Sequence, residues 1–144
     1  MADVTFYNPK EIDDSLLKFA VLAAKCGGQW IFCRHKDRTT WELAGGHRET
    51  GEAIAETARR ELLEETGTVE AVIQPVCVYK AADYGMLYFA EVLKRNSLPG
   101  EFEIAETLLT DTLPEALTYP GIHDELFAQV QKWLERRSCI SLTD

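Results

Sequence analysis

The stretch GGHRETGEAIAETARRELLEETGT, residues 45–68, decides the fold of this chain. Residues from Ala53 to Thr66 are all compatible with an α-helix, and Gly67 is a residue that commonly ends one. At about 100° per residue, four apolar side chains fall on one helix face: Ile54, Ala55, Ala58 and Leu62. The spacing therefore predicts a helix over 53–66 that packs one face against a core.

Three carboxylates crowd the last turns of this predicted helix. Glu65 projects into the apolar stripe, Glu61 lies on its flank, and Glu64 lies further round. Acidic side chains are unfavourable at the negative C-terminal end of a helix, and like charges three or four residues apart repel. A glutamate pair alone is usually a solvated charged face. This placement instead predicts a divalent cation, held by oxygen ligands, as the compensating charge.

The spacing of the polar residues around the carboxylates is specific. It runs from Gly46 through five residues to Glu52, through seven more to Arg60-Glu61, and ends with Glu64-Glu65 and Gly67. This pattern resembles the Nudix box, the loop–helix–loop signature of the Nudix hydrolase family. The resemblance implies the Nudix fold, of the α/β (α+β) class, in which a mixed β-sheet is sandwiched between helices.

Two positions depart mildly from the family pattern. Thr68 stands at the final apolar position of the box, and Ala44 stands where many members have proline before the glycines. Neither change removes a polar group that the chemistry needs. The matched pattern covers residues 46–68, and the tryptophan-containing segment before it and the glutamates at 103 and 106 also resemble the family.

The resemblance implies a role for each polar position of the box. Metal ions in the family are held by positions that here are Glu61, Glu64, Glu65 and the backbone carbonyl of Gly45. Arg60 orients these glutamates and pairs with Glu52, which supports the site, although an ordinary surface ion pair would show the same spacing. Mg²⁺ prefers oxygen ligands and keeps several waters, so this set suffices for it, with Mn²⁺ as an alternative.

The general base is not determined by the box. Some family members use a glutamate of the box, here Glu64 or Glu65, and others use a glutamate far along the chain. Glu103 and Glu106 are the distal candidates. Glu103 resembles the distal glutamate of members that clear oxidised nucleotides, but a solvent-facing acid on an edge strand would look the same.

Basic and aromatic residues near the box are candidates for binding the substrate. The cluster at 34–38 either grips phosphates or solvates a loop, and Arg34 is its best candidate. Trp41 offers a face for stacking a nucleobase, as do Tyr79, Tyr84 and Tyr88, although aromatic residues in strands are more often core. The predicted substrate-binding set is Arg34, Trp41, Gly45 and Gly46.

Composition and length predict one globular domain over residues 1–144. No apolar run approaches the roughly 20 residues of a membrane span, and the first residues lack the pattern of a secretory signal. No C-x-x-C pair occurs among the four cysteines, which read as reduced thiols: Cys26, Cys33, Cys77 and Cys139. These features predict a cytoplasmic protein without a membrane partner.

The formal net charge of −9 argues against a partner that is a long nucleic acid, since such binding needs clustered lysine and arginine. A small phosphorylated substrate remains compatible, because bound cations reverse the local sign of an acidic site. Family members are often dimers, so a homodimer is possible, although no residue marks its interface.

Outside the box, the pattern predicts strands at 16–24, 30–34, 41–44, 69–80, 86–93 and 102–110, with the first two forming a hairpin-like pair. It also predicts a short helical turn at 113–117. A terminal helix follows Pro120-Gly121, because five apolar residues recur there at helical spacing: Ile122, Leu126, Val130, Trp133 and Leu134.

The combined expectation is a magnesium-dependent pyrophosphohydrolase that cleaves a nucleoside triphosphate, including oxidised purine nucleotides, to a monophosphate and pyrophosphate. ADP-ribose, a dinucleoside polyphosphate or an RNA 5′-triphosphate are alternative substrates, and the negative charge disfavours the RNA. A non-catalytic Nudix module that senses a nucleotide is the alternative of another class. Such a module should have lost part of its carboxylate set, and here the set is complete.

Overall fold

A mixed β-sheet with a helix packed on each face forms the body of the molecule. The structure is a computed structural model that describes residues 3–98 and 103–143, with side chains as far as residue 137. Its strands are β1 (Thr5–Tyr7), β2 (Leu17–Cys26), β3 (Gln29–His35), β4 (Ala44–His47), β5 (Thr68–Lys80), β6 (Tyr84–Arg95) and β7 (Ile104–Thr110). The helices are α1 (Ile54–Thr66) and α2 (His123–Thr143), and a 3₁₀ turn covers Asp14–Leu16.

The strand order across the sheet is β1-β5-β6-β2-β3-β7, with β4 paired to β2 outside this path. Strands β2 and β6 run parallel at the centre, and the neighbouring β5–β6 and β2–β3 pairs are antiparallel. The predicted hairpin-like pair is therefore confirmed, and so is the mixed sheet between helices.

Alternate residues of β2 face two separate cores, as expected when both sides of a strand are buried. Ala20 and Leu22 belong to a cluster with Ala58 and Leu62 of α1. Val21 and Ala23 face a second cluster, which contains three side chains of α2: Leu126, Phe127 and Val130. This alternation explains why the β2 sequence is an almost continuous apolar run.

Helix α1 begins one residue later than predicted and ends where predicted. Gly67 has the left-handed φ of 74° and its N–H donates to the carbonyl of Leu63 at 2.9 Å. Arg95 of β6 donates through Nε to the carbonyl of Thr66 at 3.0 Å. This guanidinium places a positive charge at the negative end of the helix, where the carboxylates gather.

The helical turn predicted at 113–117 is wrong. This segment lies beside Trp41, whose N–H donates to the carbonyl of Ala116 at 2.8 Å and whose carbonyl accepts from the N–H of Thr118 at 2.9 Å. The backbone groups that a helical turn would use internally are thus paired with another segment. Leu117 forms an isolated parallel bridge with Trp41 instead.

Other boundaries differ more modestly from the predictions. The strand predicted at 41–44 begins only at Ala44 and runs through the two glycines, while Glu42 makes an isolated bridge to Cys33. Strand β1 and the 3₁₀ turn were not predicted. The predicted strand start at Phe102 and the Cys139 side chain lie outside the described residues, and Cys26, Cys33 and Cys77 are free thiols.

No helix in the described ranges combines the length and the apolar character that crossing a membrane requires.

Candidate active site

Arg60 is the centre of an ion-pair network at the start of the site. Its Nε lies 2.6 Å from Glu52 Oε2, and its Nη1 lies 2.9 Å from Glu61 Oε1 and 3.5 Å from Glu64 Oε1. The Arg60 guanidinium, with further hydrogen bonds from the Glu49 amide and the Thr57 hydroxyl, lowers the pKa of Glu52 to about 2. The predicted Arg60–Glu52 pair is therefore present, and the arginine also reaches two of the predicted metal ligands.

Glu61 is buried against the glycine loop. Its side chain occupies the space that a Cβ on Gly46 would fill, so only glycine fits there without displacing the carboxylate. Burial, with a smaller contribution from the Glu64 charge, raises the pKa of Glu61 to about 7, although the Arg60 guanidinium acts in the opposite direction. Steric contact with Glu61 thus explains why glycine occupies position 46 of the box.

Glu65 is the more deeply enclosed carboxylate of α1. The N–H of Gly45 donates to its Oε1 at 3.0 Å, while burial raises its pKa to about 8. A Cβ on Gly45 would run into the carbonyl of Ala20 in β2. The first glycine thereby lets the loop approach the central strand closely, and this approach brings its amide to Glu65.

The carboxylates of α1 share one small cavity of about 230 Å³. Glu64, the least buried of the three, lines it together with Glu61, Glu65, Arg60 and the distal Glu103. The structure therefore brings three of the four predicted metal ligands and one of the two distal base candidates together in this cavity, which Gly45 does not line. Glu106 instead accepts a hydrogen bond from Arg34 Nε at 3.0 Å.

Glu42 is a site residue that sequence reasoning missed, and His35, considered there only as part of the basic cluster at 34–38, contacts it. The His35 Nε2 lies 3.2 Å from Glu42 Oε1 and 3.7 Å from Glu65 Oε2, and its Nδ1 lies 3.5 Å from Glu103 Oε2. Glu42 is 6% exposed, and burial raises its pKa. The available signal for Glu42 was a carboxylate in an apolar segment shortly before the glycines.

A divalent cation fits these side chains. Within the described ranges, no three Asp, Glu, His or Cys side chains already converge as a complete ligand set. Glu61 and Glu65 are nevertheless both buried and both have raised pKa values, so their ionised forms lack sufficient compensating charge. A cation among Glu61, Glu64 and Glu65 would supply that charge through the oxygen donors that Mg²⁺ and Mn²⁺ prefer.

A second, more apolar cavity of about 350 Å³ is lined in part by the two glycines. Glu42 also lines it, and its walls include three aromatic side chains: Phe19, Tyr79 and Tyr119. We call it the apolar pocket, and the cavity of the carboxylates the acidic cavity. The Gly45–Gly46 dipeptide connects the two, because it lines the apolar pocket while the Gly45 amide is bonded to Glu65 and Gly46 lies against Glu61.

His123 holds the wall of the apolar pocket in place. Its Nδ1 accepts a hydrogen bond from the Leu43 amide at 3.1 Å, and burial lowers its pKa to about 4. A neutral ring is the form that can accept this bond. The side chain therefore has a structural role that its position at the start of α2 did not reveal.

Arg34 and Trp41 line neither the acidic cavity nor the apolar pocket in the described part of the chain. Arg34 pairs with Glu106 and donates through Nη1 to the carbonyl of Arg38 at 3.0 Å. Trp41 packs against the core cluster on the α2 side. Their assignment to substrate binding stays a prediction.

The fold and the site define a member of the Nudix family, and the family comparison agrees: the NUDIX domain model matches residues 16–131. The chain therefore belongs to this family, whose members generally use divalent metal ions. The glycine loop, α1 and both cavities lie within the matched range.

Three individual proteins are similar to this chain. "Putative 8-oxo-dGTP diphosphatase YtkD" of Bacillus subtilis is 31% identical over 106 residues, which is 70% of this chain and 66% of that protein. Another B. subtilis protein, "Putative 8-oxo-dGTP diphosphatase", is 37% identical over 80 residues, covering 54% of each chain. The crystal structure of the B. subtilis pyrophosphohydrolase BsRppH superposes with a TM-score of 0.77 at 23% identity, covering 91% of both chains.

The matched regions thus span just under two thirds and about half of the two sequence relatives.

Proposed function

We propose that this protein is a magnesium-dependent pyrophosphohydrolase that converts a nucleoside triphosphate, oxidised purine nucleotides included, to a nucleoside monophosphate and pyrophosphate. The observation that carries the proposal is the meeting of two unlike cavities at Gly45–Gly46. One is lined with carboxylates and suits a cation with phosphates, and the other is lined with aromatic rings and suits a base. A nucleotide has these two parts in one molecule.

The apolar pocket supports a nucleobase as the group that it takes. Its volume of about 350 Å³ falls in the range of small-molecule sites, roughly 300–1,000 Å³. Aromatic walls provide stacking faces, and Asp83 and His47 add polar groups that can accept or donate to base edges. The similarity to proteins named as 8-oxo-dGTP diphosphatases favours a purine.

Glu61, Glu64 and Glu65 would hold Mg²⁺, or Mn²⁺, with the carbonyl of Gly45 as a further ligand. When bound, the ion neutralises phosphate charge and lowers the pKa of a coordinated water. Arg60 fixes two of the carboxylates through the short contacts given above. Glu64, Glu65 and Glu103 are the candidates for accepting the proton of the attacking water, because all three line the acidic cavity.

The other predictions complete this proposal. Residues 1–144 act as one cytoplasmic domain on a small nucleotide, without a long nucleic acid or a membrane as partner, and a homodimer is compatible with this activity. ADP-ribose, dinucleoside polyphosphates and RNA 5′-triphosphates are the alternative substrates, and nucleotide sensing without hydrolysis is the alternative function. A single experiment distinguishes these alternatives, because each of them predicts a different result in it.

That experiment is a nucleotide panel incubated with Mg²⁺, its products identified by chromatography. The panel contains dGTP, 8-oxo-dGTP, the other nucleoside triphosphates, ADP-ribose, a dinucleoside polyphosphate and a triphosphorylated RNA. Release of a monophosphate and pyrophosphate from triphosphates supports the proposal. Cleavage of ADP-ribose with every triphosphate intact would refute the substrate class, and binding without cleavage of any compound would favour the sensor.

A further inference from the structure

We propose that His35 is a positioning residue that ties the distal glutamate, Glu103, to the carboxylates of α1. This inference rests on the proposed hydrolase function, because it assigns Glu103 a place in that chemistry. The ring of His35 lies between three carboxylates from three separate segments of the chain: Glu42, Glu65 and Glu103. Among the described side chains, His35 is the basic one within 4 Å of carboxylates from all three of these segments.

Glu103 needs such a tether because its side chain is otherwise free to move. Its side chain is 85% exposed, and its Oε2 lies 3.5 Å from His35 Nδ1. A long, exposed glutamate side chain has considerable rotamer freedom, and ordering it costs entropy. A contact that selects the inward rotamer before the substrate arrives reduces this cost during the reaction.

The backbone around Glu103 is arranged to make this contact. The pairing of β3 with β7 shifts by one residue between Arg34↔Glu106 and His35↔Ile104, which leaves Ala105 as a β-bulge. Ile104 packs into the core on the α1 side, whereas Leu108 of the same strand packs into the core on the α2 side, so the bulge changes the face of the sheet to which the start of β7 belongs. Bulges of this kind redirect a side chain at the end of a strand.

The bulge also places Glu103 opposite the residue that follows His35. The N–H of Lys36 donates to the carbonyl of Glu103 at 2.9 Å. The backbone of Glu103 is thus bonded to one residue and its side chain faces the ring of the preceding residue. Two adjacent residues of the β3 end therefore hold both parts of Glu103.

The position of His35 is itself fixed by Glu42. The buried Oε1 of Glu42 has no hydrogen-bond partner among the described residues, and the closest basic atom is His35 Nε2 at 3.2 Å. Arg38 approaches the same oxygen only to 3.9 Å. An unpaired buried carboxylate is costly, so Glu42 attracts the ring and fixes it. Glu42 thus positions His35, and His35 in turn positions Glu103 and Glu65.

Arg60 and His35 therefore contact different carboxylates of the acidic cavity. Arg60 pairs with Glu61 and Glu64, and His35 contacts Glu65 and Glu103. The box specifies Arg60 but not His35, which lies at the end of β3, ten residues before Gly45.

The test is a double-mutant cycle of His35→Ala and Glu103→Gln, measured as steady-state kinetics with dGTP and 8-oxo-dGTP in Mg²⁺. H35A should lower kcat by about 10–100-fold with KM changed by less than about threefold, since it misplaces a reacting group without removing it. In the E103Q background, H35A should cost less than about threefold, because the group it positions is already gone. Equal losses in both backgrounds, or no loss from H35A, would overturn the proposal.

Two conservative variants distinguish the contact made by Nδ1 of His35 from the contacts made by Nε2. The amide nitrogen of asparagine replaces Nδ1, which faces Glu103, whereas that of glutamine replaces Nε2, which faces Glu42 and Glu65. H35N should therefore retain more activity than H35Q. Thr107→Val is the matched control on β7, because it removes the hydroxyl contact to Arg95 and leaves Glu103 untouched. The reverse order of H35N and H35Q would contradict a tether to Glu103.

Amide hydrogen exchange tests the tether without any substrate. H35A should speed exchange at Lys36 at least about tenfold relative to the Cys33 amide, which donates to the Glu42 carbonyl at 2.8 Å, and T107V should not. Unchanged exchange at Lys36 would overturn the tether. If the wild-type protein hydrolyses neither probe, the proposed function fails, and the exchange result alone decides the contact between His35 and Glu103.

Discussion

The acidic cavity and the apolar pocket differ in how the chain builds them. Four of the side chains that line the acidic cavity come from one thirteen-residue helix, at fixed intervals along it: Arg60, Glu61, Glu64 and Glu65. The pocket instead gathers side chains from β2, the glycine loop, the β5–β6 turn and the segment before α2. The acidic cavity is therefore built locally, whereas the apolar pocket depends on how the whole chain folds. Substitutions in the pocket can change the preferred base without changing the residues proposed for hydrolysis.

The largest effect that would test this division is expected from Glu65→Gln. Removal of one buried carboxylate should lower kcat by about 10³-fold or more, because the cation loses a ligand or the water loses its base. Binding of a non-hydrolysable triphosphate should weaken far less, since the apolar pocket is intact. Steady-state kinetics and calorimetry measure the two quantities.

Glu70→Gln, an exposed carboxylate on β5, is the matched control for E65Q and should leave kcat unchanged. Circular dichroism establishes that both variants fold. A loss of less than about tenfold in E65Q would favour the nucleotide sensor over the enzyme.

Gly46→Ala should produce the next largest effect. The added Cβ meets the Glu61 carboxylate, which must move away from its buried position. We expect kcat to fall by about 10²-fold, as is typical when a reacting group is displaced by about 1 Å. Gly28→Ala provides the comparison, because this turn glycine has a φ of 87° and open space around it.

G28A should therefore cost about 1 kcal/mol of stability with no change in kcat. If G46A kept full activity, steric contact with Glu61 would not be the reason for the second glycine.

Tyr119→Ala addresses the other side of the comparison. This exposed ring lines the apolar pocket and lies over His123, with ring centroids 5.0 Å apart. We expect KM for a purine triphosphate to rise about tenfold with kcat nearly unchanged, since the ring contributes uniform binding. Leu109→Ala, on the exposed part of β7, should change neither constant. A loss confined to kcat would place Tyr119 in the chemistry instead.

The smallest effect concerns stability and pH in the absence of metal. Burial raises the pKa of Glu65 to about 8 and that of Glu61 to about 7, above the roughly 4.3 of an unfolded glutamate. The folded state therefore binds more protons than the unfolded state between these values, so it loses stability as pH rises from about 4.5 to 8. The pKa of Glu52 is lowered instead, so its effect on stability has the opposite sign. Its stabilising contribution is lost only as the pH falls towards 2.

Calorimetry in EDTA should accordingly show a Tm at pH 8.5 at least about 3 °C below that at pH 6, and E65Q should remove most of this difference. Added Mg²⁺ or Mn²⁺ should raise Tm more at pH 8.5 than at pH 6, because ligation requires the ionised carboxylates. A flat Tm in EDTA would show that the two glutamates are not desolvated.

The sequence predicted the part of the fold and site that is periodic. The helix at 53–66 and the juxtaposition of Glu61, Glu64 and Glu65 follow from helical spacing, and the buried runs of β2, β5 and β6 follow from composition. His35 was considered only as part of the basic cluster at 34–38, since its contacts with carboxylates depend on which strand ends meet in space. The segment 113–117 was assigned wrongly because its hydrogen bonds go to Trp41, a partner about 75 residues earlier in the chain.

The junction at Gly45–Gly46 also matters for inhibition. Since these glycines line the apolar pocket, a small uncharged molecule that filled it would contact a backbone without side chains there. Such a compound would compete with the base of a nucleotide and need no phosphate mimic. Its affinity should then be insensitive to chelators and to the identity of the divalent ion, unlike that of the substrate.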